Sequence, residues 1–136
     1  MISKLDKATN FHHQALSLRA ARQELLSSNV ANADTPNFKA KDIDFTSVLH
    51  DRLSSSGVNK TGLITTSAMH ISTSNSKSIL SDDVLYRVPL QPSADGNTVD
   101  MDSERTRFAD NSIKYDASIT FISNQFRMLL SAIQER

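Results

Sequence analysis

The last quarter of the chain has an apolar pattern that favours one long helix. Between residues 102 and 134 there is no Gly or Pro, and large apolar residues recur at alternating intervals of three and four. This spacing is typical of a coiled-coil seam. The seam consists of Phe108, Tyr115, Ile119, Ile122, Phe126, Leu129 and Ile133, with Ser112 as its polar exception. Such a helix would be roughly 50 Å long, which favours a coiled coil or an elongated assembly.

A second helix is predicted at the other end of the chain, over residues 3–32, which also lack Gly and Pro. Its seam has the same spacing but is half polar. The large apolar members are Phe11, Leu18 and Leu25, and the polar ones are Arg22, Asn29 and Asn32. A hairpin of two such helices would bury too little apolar surface to stand alone, so we expect neighbouring copies of the chain to supply further contacts.

The first predicted helix ends in a polar stretch before Pro36, which cannot continue a helix because it lacks an amide donor. Asn29, Asn32 and Thr35 lie at helical spacing just before this point. Asparagine side chains compete for backbone hydrogen bonds, so these groups are expected to organise a turn or a contact between subunits. A simple Asn-rich helix cap is the alternative interpretation.

The same stretch resembles the N-terminal signature of the rod and hook proteins of the bacterial flagellum. The residues that match the signature are Ser28, Asn29, Val30, Ala31, Asn32, Thr35, Pro36 and Phe38. Distal members of that family usually have Gly before the aromatic residue, whereas this chain has Asn37. A second block over residues 86–100, followed by Glu104, Arg105 and Phe108, is similar to proximal rod members.

The resemblance implies a structural subunit of the proximal rod of the flagellar basal body, which helps to transmit torque across the periplasm for motility. The implied partners are copies of the chain itself, other rod and basal-body proteins, and the flagellar type III export apparatus. No apolar run of signal-peptide length is found near the N-terminus, so a cleaved signal peptide is not expected, and the resemblance implies export through that apparatus instead. A different class of protein, a small helical adaptor or export chaperone acting as a soluble hairpin, is the alternative.

Composition argues against several other classes of function. Lys plus Arg and Asp plus Glu are equal at 15 each, so a nucleic-acid partner is not expected. The chain has no Cys, which excludes thiol catalysis, Cys-based metal sites and disulfides. No apolar run is long enough for insertion into a membrane.

Catalytic and ligand-binding patterns are weak. His12 and His13 are adjacent and therefore point about 100° apart on a helix, unlike the i, i+4 pair of a zinc site. Acidic pairs such as Asp82-Asp83 have no nucleophile or base near them in sequence. Residues 91–102 depart from a calcium loop at both ends. We therefore expect no enzymatic activity, no cofactor, no metal and no small-molecule substrate.

The predicted fold is all-α and forms one elongated domain over residues 1–136. Its coiled-coil-like core comes from the two ends of the chain, residues 1–35 and 100–136. Residues 36–99 are predicted to form a polar loop and an extended arm or hairpin. The loop is expected between about residues 54 and 78, where Ser, Thr and Asn dominate, and the arm follows, where Pro89 and Asp95-Gly96 favour turns.

Overall fold

The computed structural model describes residues 2–54, 83–89, 91 and 93–134. In chain order the elements are helix α1 (Ile2–Ala31), strand β1 (Lys41–Ile43), helix α2 (Phe45–Ser54), strand β2 (Val84–Tyr86) and helix α3 (Met101–Gln134). The two predicted terminal helices and the mainly α-helical class are confirmed. Most of the predicted polar loop lies outside the described residues.

Helices α1 and α3 pack against each other as an antiparallel hairpin. Near the end of α1 and the start of α3, Asn29 is hydrogen-bonded to Glu104. Farther along, the rings of His12 and Phe121 are stacked with their centroids 6.3 Å apart. Later residues of α3 therefore contact earlier residues of α1, so the two helices run in opposite directions.

Local sequence explains where α2 and α3 begin. The Asp100 carboxylate accepts hydrogen bonds from the backbone N–H groups of Asp102 and Ser103, at 3.1 and 3.4 Å, and so caps the start of α3. The Asp44 carboxylate caps α2 in the same way. Helix α2 was not predicted, because ten residues are too few to show a clear helical period.

The extended arm contains β2, which does not form a local hairpin but pairs antiparallel with β1. Their register places Lys41 opposite Tyr86 and Ile43 opposite Val84. The backbone N–H of Arg87 extends the contact by donating to the Ala40 carbonyl at 2.9 Å. The pairing of the two strands therefore brings the beginning of the arm beside β1, which follows the signature residues in the chain.

The apolar core lies between α1, β1 and α2. Its buried members are Ala15, Leu18, Ala21, Ile43, Val48 and Leu49. Leu25, Phe45, Leu53 and Val84 pack against this cluster from its edges. Within the described part of the chain, no residue of α3 belongs to it. None of the described helices is both long enough and apolar enough to cross a membrane.

Candidate functional site: a buried polar junction between the terminal helices

The end of α1 is fastened to β1 by the side chain of Asn29, which is fully buried. Its Oδ1 accepts a hydrogen bond from the Lys41 N–H at 3.0 Å, and its Nδ2 donates to the Lys41 carbonyl at 2.8 Å. The side chain thus pairs both backbone polar groups of Lys41, as a neighbouring strand would. Only a side-chain amide offers a donor and an acceptor in this arrangement.

Glu104, in the first turns of α3, completes the contact from the other side. Its side chain is 0% exposed, and its Oε2 accepts a hydrogen bond from Asn29 Nδ2 at 3.1 Å. Its Oε1 forms an ion pair with the guanidinium of Arg87, the residue after β2. A buried carboxylate is costly unless it is paired and hydrogen-bonded, and here both conditions are met. Glu104 therefore joins α3 to the end of α1 and to the arm.

Asp42 of β1 gathers arginine side chains from three parts of the chain. Arg22 of α1 donates to its two carboxylate oxygens at 2.8 and 2.9 Å, Arg87 donates at 2.8 Å, and Arg107 of α3 lies at 3.5 Å. Burial works to raise the pKa of Asp42, but hydrogen bonds from Arg22, the Ile43 N–H and Arg87, with the charge of Arg22, hold that pKa below its ordinary value. Asp42 is therefore the anionic centre of the group.

Arg87 links these two acids, since one guanidinium contacts both Asp42 and Glu104. The planar fork of Arg suits two carboxylates in this way, whereas a Lys would present a single point charge. We call this group the polar junction; its members are Arg22, Asn29, Asp42, Arg87 and Glu104. It connects α1, β1, the arm and α3 through side chains that are largely hidden from water.

Asn97, in the segment that leads into α3, contacts the turn that follows α1. It is buried, and its Nδ2 lies within hydrogen-bond distance of three carbonyl oxygens, those of Asn32, Ala33 and Thr35, at 3.1, 2.6 and 3.0 Å. These three carbonyls belong to the turn that follows α1, so the buried Asn97 amide ties that turn to the segment before α3. Asn97 thereby attaches the second similarity block to the first.

Two residues with positive φ angles lie in contact where these blocks meet. Asn37 has φ 61° and Gly96 has φ 72°. A Cβ atom at position 96 would lie 2.6 Å from Asn37 Oδ1, closer than real Cβ contacts. Gly96 is therefore needed for its backbone conformation, and a Cβ atom at this position would also force the Asn37 side chain to move. The Asn37 N–H donates to the Asp95 carbonyl at 3.0 Å and holds the turn in place.

The structure places the signature residues in and around this region. Asn29 lies inside the junction, while Asn32 and Thr35 form the turn after α1: Asn32 Nδ2 donates to the Ser28 carbonyl at 2.8 Å and Thr35 Oγ1 donates to Asn32 Oδ1 at 3.1 Å. The carbonyl of Phe38 accepts from the Thr98 N–H at 3.1 Å. Val30 and Phe38 are half-buried, and Ser28, Ala31, Thr35 and Pro36 are exposed.

The predicted seam residues fall into two groups. On α1, Leu18 is buried in the core with α2 and β1, Leu25 packs at its edge, and Phe11 is exposed. On α3, the half-buried members are Tyr115, Ile122 and Leu129. The exposed members are Phe108, Ile119, Phe126 and Ile133. The α1 seam is thus largely used within the subunit, and much of the α3 seam is not.

Sequence reasoning missed Asp42 and gave no role to Arg87, Asn97 or Glu104, although the last three lie in the second similarity block. The signal that could have pointed to Asp42 is its position as a charged residue in the middle of a short strand, next to the apolar Ile43. In the described residues, no group of three or more His, Asp and Glu side chains could hold a metal ion. The acids of the junction are neutralised by arginines, an arrangement that holds segments together.

The fold and the junction define a structural protein that fastens the two ends of its own chain together and leaves a long helix face open. Residues 10–39 match the family model of the flagella basal body rod protein. The chain is 51% identical to the flagellar basal body rod protein FlgB of Yersinia ruckeri, with 99% of each chain covered. It is 49% identical to the protein of that name from Salmonella typhimurium and 45% to that from Escherichia coli, with 98% of each chain covered.

The chain belongs to the FlgB family of flagellar basal body rod proteins. This confirms the resemblance found in the sequence, and the chain is a structural protein of the basal body rod rather than an enzyme. Nothing supports the alternative interpretation as an adaptor or export chaperone.

Proposed function

We propose that the chain is a proximal subunit of the flagellar rod, in which the open face of α3 is covered by copies of the chain and by other rod proteins. The observation that supports this most strongly is the exposure of large apolar side chains along α3. They are Phe108, Ile113, Ile119, Phe121, Phe126, Met128, Leu130 and Ile133. Phe126 is 50% exposed and Ile133 is 70% exposed.

These side chains surround more of α3 than a single partner helix could cover. At 100° per residue, Ile119, Phe126 and Leu130 lie on one flank of the face that contacts α1, and Phe121 and Met128 lie on the other. Large apolar side chains that extend beyond the face covered by α1 are typical of a helix that contacts further partners. Because α1 covers only one side, neighbouring subunits are the partners that fit the remaining surface.

The polar junction suits a subunit that transmits torque. Torque passes between subunits only if each one resists shear between its helices, and charge-assisted hydrogen bonds have a strict geometry that opposes such sliding. In this proposal α3 contacts the neighbours, while Glu104 and Asp42 pass the load to α1 and β1. Delivery through the flagellar type III export apparatus without a cleaved signal peptide is part of the same proposal.

Complementation of a strain that lacks this chain tests the role of the α3 face. The double variant Ile119→Ser, Phe126→Ser should express and fold but should not restore swimming, since it removes apolar contacts at an interface. Ala117→Ser, which introduces the same residue at an exposed position of α3, should restore wild-type swimming. Normal swimming by the double variant, with normal amounts of the chain in purified basal bodies, would contradict the proposal.

A further inference from the structure

Asp95 and Gly96 are adjacent in the turn before α3, and this pair of residues has a reactivity of its own. The side-chain carboxyl of an Asp can be attacked by the backbone nitrogen of the next residue. Gly favours this attack more than other residues do, because it has no side chain to hinder the nitrogen. Asp95 is exposed to solvent, so burial does not prevent the reaction. Whether the pair reacts in the folded chain therefore depends on the contacts of the turn.

The reaction consumes and returns one molecule of water and involves no oxidation or reduction. The Gly96 nitrogen forms a bond to Cγ of Asp95, and the nitrogen's hydrogen leaves with the carboxyl hydroxyl as water. The product is a cyclic succinimide. Water then opens the ring at one of its two carbonyls. Opening at one carbonyl restores aspartate, and opening at the other leaves the main chain running through the side chain of residue 95, which is isoaspartate.

The folded turn engages both reacting groups. The Gly96 N–H donates to the Ser93 carbonyl at 3.2 Å, and ring closure would remove this hydrogen. Asp95 Oδ1 accepts hydrogen bonds from the Ser93 hydroxyl and from the Asn97 N–H, the latter at 3.1 Å. A bond from an Asp carboxylate to the backbone two residues on is typical of a turn. Ring closure would break all three bonds, so the folded turn opposes it.

The charge of Asp95 acts in the same direction. Ring closure proceeds from the protonated carboxyl, because a carboxylate oxygen is a poor leaving group. Hydrogen bonds from the Ser93 hydroxyl and the Asn97 N–H hold the pKa of Asp95 below its ordinary value. The folded chain therefore contains less of the reactive acid than the unfolded chain at the same pH.

The product would not fit the contacts that this turn makes with the segment after α1. In the folded chain the Asp95 carbonyl accepts from the Asn37 N–H at 3.0 Å, and the Gly96 carbonyl accepts from Lys39 Nζ at 2.6 Å. Isoaspartate lengthens the main chain between residues 95 and 96 by one carbon atom, and the former Asp95 carbonyl becomes a free carboxylate outside it. An isomerised chain would therefore lose part of the attachment between the two segments.

We propose that Asp95-Gly96 is a site of isoaspartate formation in the unfolded chain and that the turn suppresses this reaction once the chain has folded. Under this proposal the reaction in the folded chain needs local opening of the turn. Its rate is then reduced by the fraction of time for which the turn is open. The folded chain should isomerise at least about tenfold more slowly than the unfolded chain.

Mass spectrometry measures the two rates in the full chain. The chain is incubated at one neutral pH in buffer and in guanidinium chloride, and circular dichroism verifies the folded and unfolded states. Trypsin then releases residues 88–105, and electron-transfer fragmentation distinguishes isoaspartate from aspartate at position 95. Isoaspartate should accumulate in guanidinium chloride and at least about tenfold more slowly in buffer. Asp95→Glu should give almost none in either, because Glu would have to close a larger ring.

Two matched variants test the role of the turn. Ser93→Ala removes the hydroxyl donor but keeps the carbonyl, so it should isomerise about threefold or more faster than the parent in buffer and equally fast in guanidinium chloride. Ser131→Ala, at an exposed position of α3, should match the parent in both. Equal rates of the parent in the two solvents, no isoaspartate at position 95 in guanidinium chloride, or a parent-like rate of Ser93→Ala in buffer would each overturn the proposal. These measurements do not depend on the proposed role in the rod.

Discussion

Asn29 and Glu104 are fully buried side chains from opposite ends of the sequence, and Asn29 Nδ2 lies 3.1 Å from Glu104 Oε2. The same Asn29 amide also pairs with the backbone of Lys41. One signature residue thus joins α1, β1 and α3. The contact explains why a signature at the end of one helix is accompanied by a second block of similarity before the other.

Removal of the Glu104 carboxylate should strongly destabilise the fold. Glu104→Ala removes one buried acceptor from Asn29 and one of the two carboxylates that pair with Arg87, which keeps Asp42, so we expect a cost of about 2–3 kcal/mol. Glu104→Gln keeps the shape and one acceptor, so its loss should be smaller. Urea unfolding measures both. Asp102→Asn, an exposed acid in the same turn, should cost no more than about 1 kcal/mol. Equal stability of Glu104→Ala and Asp102→Asn would show that the junction does not hold the fold.

Loss of the Asn97 amide should loosen the end of α1. Asn97→Ala leaves the carbonyls of Asn32, Ala33 and Thr35 without this donor, which should lower the free energy of unfolding by on the order of 1 kcal/mol. Hydrogen exchange should accelerate in the last turn of α1 more than in α2. Asn124→Ala, at an exposed position of α3, is the control and should leave α1 unchanged. Unchanged exchange in the last turn of α1 of Asn97→Ala would rule out this role.

Gly96 should not tolerate a side chain. Gly96→Ala introduces strain at φ 72° and a clash with Asn37 Oδ1, so we expect a loss of about 1 kcal/mol or more in thermal or urea unfolding. Asn37→Gly removes the clashing atoms and suits the φ of 61° at that position. The double variant should therefore recover part of the loss. If Gly96→Ala is as stable as the parent, the positive φ at position 96 does not strain a residue with a side chain.

Asp42 should make the stability of the fold depend on acid. Burial opposes the charge of Asp42, but the hydrogen bonds from Arg22, Ile43 and Arg87 lower its pKa in the folded chain. A depressed pKa contributes stability above the pKa of the unfolded chain, and this contribution is lost as the pH falls through the lower folded value. The urea concentration at the unfolding midpoint should therefore decrease as the pH is lowered below about 4, the ordinary pKa of an aspartate in an unfolded chain.

The variant Asp42→Asn should be less stable than the parent at pH 7 and should lose part of this acid dependence. Asp116→Asn, which changes an exposed acid of α3, should behave as the parent across the same range. An acid dependence that is identical in Asp42→Asn and the parent would place the responsible group elsewhere.

The terminal helices could be predicted because their signals are local. Residues 102–134 have a strict apolar period and no Gly or Pro, and Pro36 requires a helix end before it. The turn of Asn32 and Thr35 also follows from local spacing, since both bonds join residues three or four apart. Interactions between residues close in sequence were sufficient to predict these elements.

The junction could not be predicted in the same way, because its contacts join residues far apart in sequence. Asp42 shows no pattern until β1 and β2 bring it beside Arg87, and Arg22 was assigned to a seam by spacing although its guanidinium pairs with Asp42. Helix α2 was missed for a related reason. Its two buried residues, Val48 and Leu49, are adjacent, and their burial is decided by α1 and β1 rather than by a period of their own.

A density map of the assembled basal body in which side chains of the rod are resolved would test most directly whether this chain is a rod subunit whose α3 face is covered by its neighbours. We predict that this chain lies in the proximal rod, with α1 and α3 paired antiparallel through Asn29 and Glu104. Ile119 and Phe126 should be covered by neighbouring subunits. A map in which this chain is absent from the rod, or in which Ile119 and Phe126 face open solvent within it, would contradict the account.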